Sequence, residues 1–317
     1  MILTVTLNAA LDITYRVPRL RPRASHRVTE VVERPGGKGL NVARVLAALG
    51  HDTVVTGFAG GPTGAALREG LAAYGRVTDP AHGRVTDALV GVVGTTRRTV
   101  GVVDDASGDT TQLNEPGPLV TTPEWTAFTG TYARLLRDAA AVALCGSLPP
   151  GVPVGTYAQL VREARAAGVP VLLDTSGEAL RRGIAARPDV VKPNADELAG
   201  LTGFAEPLRA TRDARRRGAH AVAASLGADG MLAVTADGAW RATPPRRLAG
   251  NPTGAGDSAV AGLLSGLVEG LPWPDRLARA VALSAATVRA PAAGEFDRAT
   301  YAELLPRIEV SEIRSAA

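Results

Sequence analysis

Short apolar runs alternate with helix-period segments along almost the whole of this 317-residue chain. ILTVTL at 2–7, DTVVTGF at 52–58, AAVALC at 140–145, VPVLLD at 169–174, DVVK at 189–192 and AHAVAAS at 219–225 read as core strands. Helical spacing follows them. Val42, Val45, Leu46 and Leu49 fall at i, i+3, i+4 and i+7, with Gly50 where a helix C-terminal glycine belongs, and Val260, Leu263, Leu264 and Leu267 repeat the spacing after NPTGAGD. This is the pattern of strands crossing over through helices into a mostly parallel sheet, an α/β fold. Two stretches break the rhythm. Residues 13–32 and 85–117 have strand character without intervening helices and are expected to form an antiparallel flap on one face of the main sheet. With no internal repeat and no long linker, one domain over 1–317 carrying a lid is the expected organisation.

Composition narrows the function classes. Hydrophobic content of 45% and charged content of 21% are those of an ordinary globular protein, and 4% aromatics give few stacking platforms for single-stranded nucleic acid. A net charge of +4 is too small to imply a nucleic-acid partner, but leaves room for a basic pocket that takes an anionic ligand. The single cysteine, Cys145, lies in an apolar strand, excludes an internal disulfide framework and suits a reducing cytosol. No signal peptide is expected at MILTVTLNAALD, and the apolar runs are too short to span a bilayer, so no membrane partner is expected. His26, His51, His82 and His220 lack metal-ligand spacing.

Of 35 Lys plus Arg residues only two are Lys, at 38 and 192, and both fall in glycine- or proline-punctuated loops that carry candidate chemistry. The GGKG stretch exposes backbone at a helix start, with Lys38 as a compact point charge and Asn41 a turn further on. It lacks the Gly and Ser/Thr positions of a P-loop. NPTGAGDS opens the 260s helix. Its amides at Gly254, Ala255 and Gly256 suit a phosphate, and Asp257 beside them makes sense as a group that takes a proton when a phosphoryl group moves, or as an ordinary N-cap. Gly254, Gly256 and Ala259 also fit a dinucleotide GxGxxA, but RRLAGNP is a poor strand to precede one. In VKPNADEL, Asn194 and Glu197 at i, i+3 either hold a hydrated Mg²⁺ or close a capping box. SLGADG, GSLPPGVP and DTSGEAL lie at strand ends, where open α/β sheets bind ligands.

In order, NAALD (8–12), GGKGLNVARVL (36–46), TR (96–97), NEPG (114–117), GSLPPGVP (146–153), DTSGEAL (174–180), KPNADEL (192–198), SLGADG (225–230) and NPTGAGDS (251–258) resemble the PfkB, or ribokinase-like, carbohydrate kinases. NAALD, GSLPPGVP and DTSGEAL look like the phosphosugar branch of that family, which includes 1-phosphofructokinases and tagatose-6-phosphate kinases. The resemblance implies a Rossmann-type three-layer α/β/α core with a small β-sheet lid that often serves as a homodimer interface. It also implies ATP-dependent, Mg²⁺-assisted phosphorylation of a phosphosugar hydroxyl, with C6 of fructose 1-phosphate the first expectation. Carried over by position, it suggests Asp257 as base and Gly254, Ala255 and Gly256 as anion hole. Asp12, Gly37, Lys38 and Asn41 would meet the sugar, with Arg97 and Ser147 at its phosphate and the partner subunit's Arg27 as an added contact. Lys192, Asn194, Glu197, Ser225 and Gly227 would face ATP and its Mg²⁺. Arg98, Thr99 and Gly101 depart from the branch's pattern and bear on which phosphosugar is used.

Overall fold

The computed structural model describes residues 1–74 and 81–313. Numbered along the chain, the main sheet runs in space β15 (Glu309–Glu312), β14 (Ala239–Thr243), β13 (Met231–Val234), β12 (Ala221–Ser225), β11 (Val190–Val191), β10 (Val171–Asp174), β9 (Ala141–Cys145), β1 (Ile2–Thr6), β4 (Thr53–Ala59) and β5 (Val85–Asp87). A short β6 (Val90–Gly91) also pairs β4. From β12 across to β5 every pairing is parallel, while β13, β14 and β15 add an antiparallel edge. All six predicted core strands are present. β11 is the shortest because Pro193 has no N–H to continue the ladder.

Strand side chains alternate between two helical layers, as a sheet buried on both faces requires. Leu3, Val5, Val142, Leu144, Leu173 and Val222 pack against α3 (Thr122–Leu136), α4 (Thr156–Ala166), α5 (Gly177–Ala185), α6 (Ala195–Thr202) and α7 (Pro207–Arg216). Ile2, Ala143, Cys145, Leu172 and Ala223 point the other way, onto α1 (Lys38–Ala48), α8 (Ala255–Val268) and α9 (Trp273–Thr287). Two further helices, α2 (Gly61–Tyr74) and α10 (Arg298–Leu304), complete the set. In α1, Val42, Val45 and Leu46 are fully buried as their spacing predicts, and the chain turns out at Gly50 with φ +94°. Cys145 is a free, fully buried thiol whose pKa burial pushes well up, a packed residue and no nucleophile.

A second, four-stranded sheet has the order β3 (Glu30–Gly36), β2 (Ala10–Val17), β7 (Arg97–Asp104), β8 (Thr110–Asn114). It differs from the expected flap in two respects. Residues 85–91 belong to the main sheet, as β5 and β6, because Val85 and Leu89 are needed to close the cluster formed with Leu67 and Leu71 of α2. The small sheet is mixed and not purely antiparallel. β2 and β7 run parallel because each leaves the main sheet from the carboxyl end of a parallel strand, β2 after β1 and β7 after β6. Of its two inner strands β2 starts at Ala10, so Asp12 sits on the small sheet, with Arg34 opposite.

The chain proceeds from β1 outward through β4 to β5, then returns to the other side of β1 with β9. Order reverses there. The carboxyl ends of β1, β9, β10, β11 and β12 therefore open a crevice at the switch point, and the small sheet springs from its rim.

Candidate active site

Two helices start over this crevice, and both start on glycine. α1 follows Gly37 (φ +109°) and α8 follows Gly254 (φ +85°), neither with a capping side chain, so the first amides of each are open to a ligand. At α1 a Cβ on Gly39 would lie 2.2 Å from Thr6 Oγ1 and 2.9 Å from the Val5 carbonyl, so glycine is what lets the helix sit directly on the end of β1. At α8, Ala255 N–H is already taken by the Pro252 carbonyl (3.1 Å), and the first bond inside the helix is Ser258 N–H to Gly254 C=O. Among the described residues the amides here left without an acceptor are those of Gly254, Gly256 and Asp257, so the predicted anion hole of Gly254–Gly256 keeps its two glycines and extends to Asp257.

Both lysines of the chain converge on one carboxylate, Asp174, at the end of β10. Lys38 Nζ is 3.3 Å from each of its oxygens and Lys192 Nζ 3.4 Å from Oδ1. Asp174 is 1% and Lys192 4% exposed, whereas 39% of the Lys38 side chain is in solvent. Burial alone would lower the Lys38 ammonium. Asp174, Asp257 and Glu197 outweigh it and hold its pKa above the ordinary value. Lys192 Nζ also lies 3.6 Å from where a Cβ on Gly256 would be, which brings the second cation to the start of α8.

Asp257 is buried at this helix start. Its Oδ2 accepts from Asn41 Nδ2 at 2.7 Å. Desolvation pushes its pKa up to about 6; Lys38 opposes the rise, Asp174 adds to it, and the Asn41 hydrogen bond and Lys192 oppose it further. At neutral pH the carboxylate is ionised yet within reach of protonation, the state a proton acceptor needs.

On the β1 side, Asn8 Nδ2 donates to Ser147 Oγ (3.0 Å) and the Asn8 carbonyl accepts from Arg97 Nε (3.2 Å). Ser147 is exposed and Arg97 half-buried at the same corner. Asp12, packed against Gly36, is raised to about 6 by burial, with Arg44, Arg97 and Thr99 opposing. Arg98 turns outward onto Glu115 (2.6 and 2.9 Å), and Arg27 is exposed on the connection between β2 and β3. Asn41 is 6% exposed, much as Asp257 is; its Nδ2 donates to Asp257 and its Oδ1 accepts from Arg44, which leaves one N–H and one lone pair of the amide uncommitted.

On the β11 side, Asn194 caps α6 by accepting from Glu197 N–H (2.8 Å) while Glu197 Oε2 accepts from Asn194 N–H (2.9 Å). The capping box is therefore formed, and Glu197 Oε1 is the oxygen it leaves uncommitted. No group of three or more His, Cys, Asp or Glu side chains able to hold a metal occurs among the described residues. This donor set fits a Mg²⁺ that arrives on nucleotide phosphates and keeps its waters, not a caged ion. Ser225 pairs with Asn194 through an isolated bridge, and beyond Gly227 (φ +61°) lies open space. The strand before Gly254, Gly256 and Ala259 is β14, which ends at Thr243 and is antiparallel to both its neighbours, so the strand–turn–helix of a dinucleotide fingerprint is not formed.

Asp174, Arg44 and Asn8 shape the site and were not among the sequence candidates. A carboxylate closing the apolar run VLL and an arginine inside the buried spacing of α1 were the signals for the first two.

A crevice at the switch point, a buried carboxylate on an amide-rich helix start and two converging ammoniums define a phosphotransferase. The model of the pfkB family of carbohydrate kinases matches residues 5–299. The chain is 40% identical over 292 residues to a 1-phosphofructokinase of Rhodobacter capsulatus, covering 90% of each. Among solved structures, phosphofructokinase-2 of Escherichia coli in complex with fructose-6-phosphate is similar at 29% identity and a TM-score of 0.85, over 96% of this chain and 98% of that one. A possible 1-phosphofructokinase of Thermotoga maritima is similar at 27% identity and a TM-score of 0.87, over 99% and 100%. The chain belongs to the pfkB carbohydrate kinase family. It is a kinase with an alcohol group as acceptor, built on the ribokinase-like fold.

Proposed function

We propose that the chain transfers the γ-phosphoryl group of ATP to the C6 hydroxyl of fructose 1-phosphate. The observation that carries the chemistry is Asp257: a buried carboxylate, hydrogen-bonded on one oxygen, at a helix start whose neighbouring amides and Lys192 suit the anion being transferred. The choice of sugar rests on likeness to the Rhodobacter relative. In this reading Asp257 takes the hydroxyl proton late in an in-line displacement, a contribution of about 10²- to 10⁴-fold. The amides of Gly254, Gly256 and Asp257 hold the charge that develops, about 3 kcal/mol for a well-aimed donor. Lys38 and Lys192, fixed by Asp174, offset charge on either side of the moving group. Mg²⁺, when bound, neutralises phosphate charge, and Glu197 with Asn194 is where the chain would hold its hydration shell.

Asp12, Gly37, Lys38 and Asn41 are assigned to the sugar, Arg97 and Ser147 to its phosphate, and Ser225 and Gly227 with Lys192 to ATP. The small sheet acts as a lid on a single kinase domain. Val31 (55% exposed) and Leu113 (59%) on its strands support a homodimer through that sheet. No described helix is long and apolar enough to cross a membrane, and the one free, buried thiol is consistent with a cytoplasmic setting.

Coupled ADP release over fructose 1-phosphate, tagatose 6-phosphate, fructose 6-phosphate and unphosphorylated hexoses tests the assignment. Fructose 1-phosphate is expected to give the highest kcat/KM. A preference for fructose 6-phosphate, the ligand of the similar Escherichia coli structure, would replace the sugar and keep the chemistry.

A further inference from the structure

Arg44 lies on α1 one turn after Asn41, only 4% exposed, among Leu40, Ala43, Val45 and Ala47. A guanidinium so placed is costly unless its donors are used. Nη2 donates to Asn41 Oδ1 (2.6 Å) and to the Ala293 carbonyl (2.6 Å), and Nη1 to the Tyr74 hydroxyl (3.2 Å). The chain makes room for it: at Gly294 (φ +77°) a Cβ would lie 2.3 to 2.7 Å from the guanidinium. Among the described residues Arg44 forms no salt bridge, though its charge acts on Asp12.

An amide has one accepting and one donating end. With Arg44 donating to its oxygen, Asn41 must turn its NH₂ to Asp257 Oδ2, which it does at 2.7 Å. The reversed amide would set oxygen against carboxylate. Ala293, held by the same Nη2, packs where a Cβ of Gly254 would fall (2.8 Å), at the cap of α8.

We propose that Arg44 is a positioning residue for the phosphoryl-transfer base, acting through Asn41 on Asp257 Oδ2 and through Ala293 on the anion-binding start of α8. It leaves Oδ1 as the oxygen open to the acceptor hydroxyl. The proposal rests on Asp257 being that base. The charged groups facing Asp257 are Lys38 from the start of α1, Asp174 from β10 and Lys192 beyond β11; Arg44 reaches it only through the Asn41 amide.

The test is kcat against pH, from 5 to 9, at saturating ATP and the preferred phosphosugar, for wild type, Arg44→Met, Asn41→Ala and the double variant, with a thermal melt for each. Loss of a hydrogen bond to the ionised form should move the acid limb up by about one pH unit in each single variant. The kcat should fall about fivefold at pH 6 and about twofold at pH 7 and recover as pH rises, and the double variant should shift no further than the singles. An unmoved limb in folded Arg44→Met, or shifts that add in the double variant, would overturn the role. If Arg44→Met does not fold, Gly294→Ala, which displaces the guanidinium without removing it, is expected to move the limb as Asn41→Ala does. An unmoved limb in both would be equally fatal. Full turnover by Asp257→Asn would sink the base assignment itself, whereas an inactive Asp257→Asn beside an unmoved Arg44→Met limb would sink Arg44 alone.

Discussion

The starts of α1 and α8 are built alike and charged oppositely. Each follows a glycine of positive φ and forgoes a capping side chain, at a cost of about 1 kcal/mol. α6, by contrast, closes its own start with Asn194 and Glu197. A helix dipole favours an anion at its N-terminus by a few tenths to 1 kcal/mol, so Asp257 is where the dipole wants it and Lys38 is where it does not. Lys38 is kept charged by Asp174, while Asp257 is pushed toward neutrality by burial. The difference teaches that the two ends divide the work: one holds a permanent cation against a charged ligand, the other a carboxylate that can change its proton.

The largest test of that division is Asp257→Asn, which is expected to cut kcat by about 10²- to 10⁴-fold with ATP and sugar KM retained. Steady-state kinetics check it, and near-normal turnover would break the comparison at α8. Next is Asp174→Asn, which strands two ammoniums, one of them buried. Denaturant unfolding should show about 3 to 5 kcal/mol of stability lost.

Asp257→Asn should at the same time stabilise the ligand-free protein. The folded carboxylate's pKa lies above its unfolded value of 3.8, at about 6, so ionisation costs the native state. That cost is absent below about pH 4, grows as pH rises to 6 and is complete above it. At pH 7.5 the variant should be about 2 to 3 kcal/mol more stable, a gap that closes on acidification. Lys38→Arg keeps the charge and changes its shape; kcat/KM for the phosphosugar should drop about tenfold, near 1.4 kcal/mol, and an unchanged value would make α1's cation generic. Asn194→Ala should cost about 1 kcal/mol in a thermal melt, the measure of what α1 and α8 do without.

Much of this was legible in the sequence where the signal is local. Strand length, helical spacing at Val42 to Leu46 and the glycines before Lys38 and Asp257 all act within a few residues. The destination of residues 85–91 was not legible, because VTDALVG alternates as a flap strand would and only the exposed edge of β4 decides otherwise. Asp174 escaped for the same reason. Its partner Lys38 is 136 residues away, and Asn41 meets Asp257 across 216. Periodicity carries no record of which strand ends will face one another. What could be read was the oddity of two lysines among so many arginines, and the structure gives it a physical reason in their shared carboxylate.

That scarcity has a practical side. Apart from its amino terminus, the protein offers amine-reactive reagents only Lys38 and Lys192, and just the first is solvent-accessible. Acylating labels, formaldehyde and activated resins need the neutral amine, which Asp174 withholds at Lys38 while burial hides Lys192, so both lysines resist them near neutral pH. A tag coupled through an amine would leave the active-site crevice intact, and reaction at Lys38 would report that its ion pair with Asp174 has been broken.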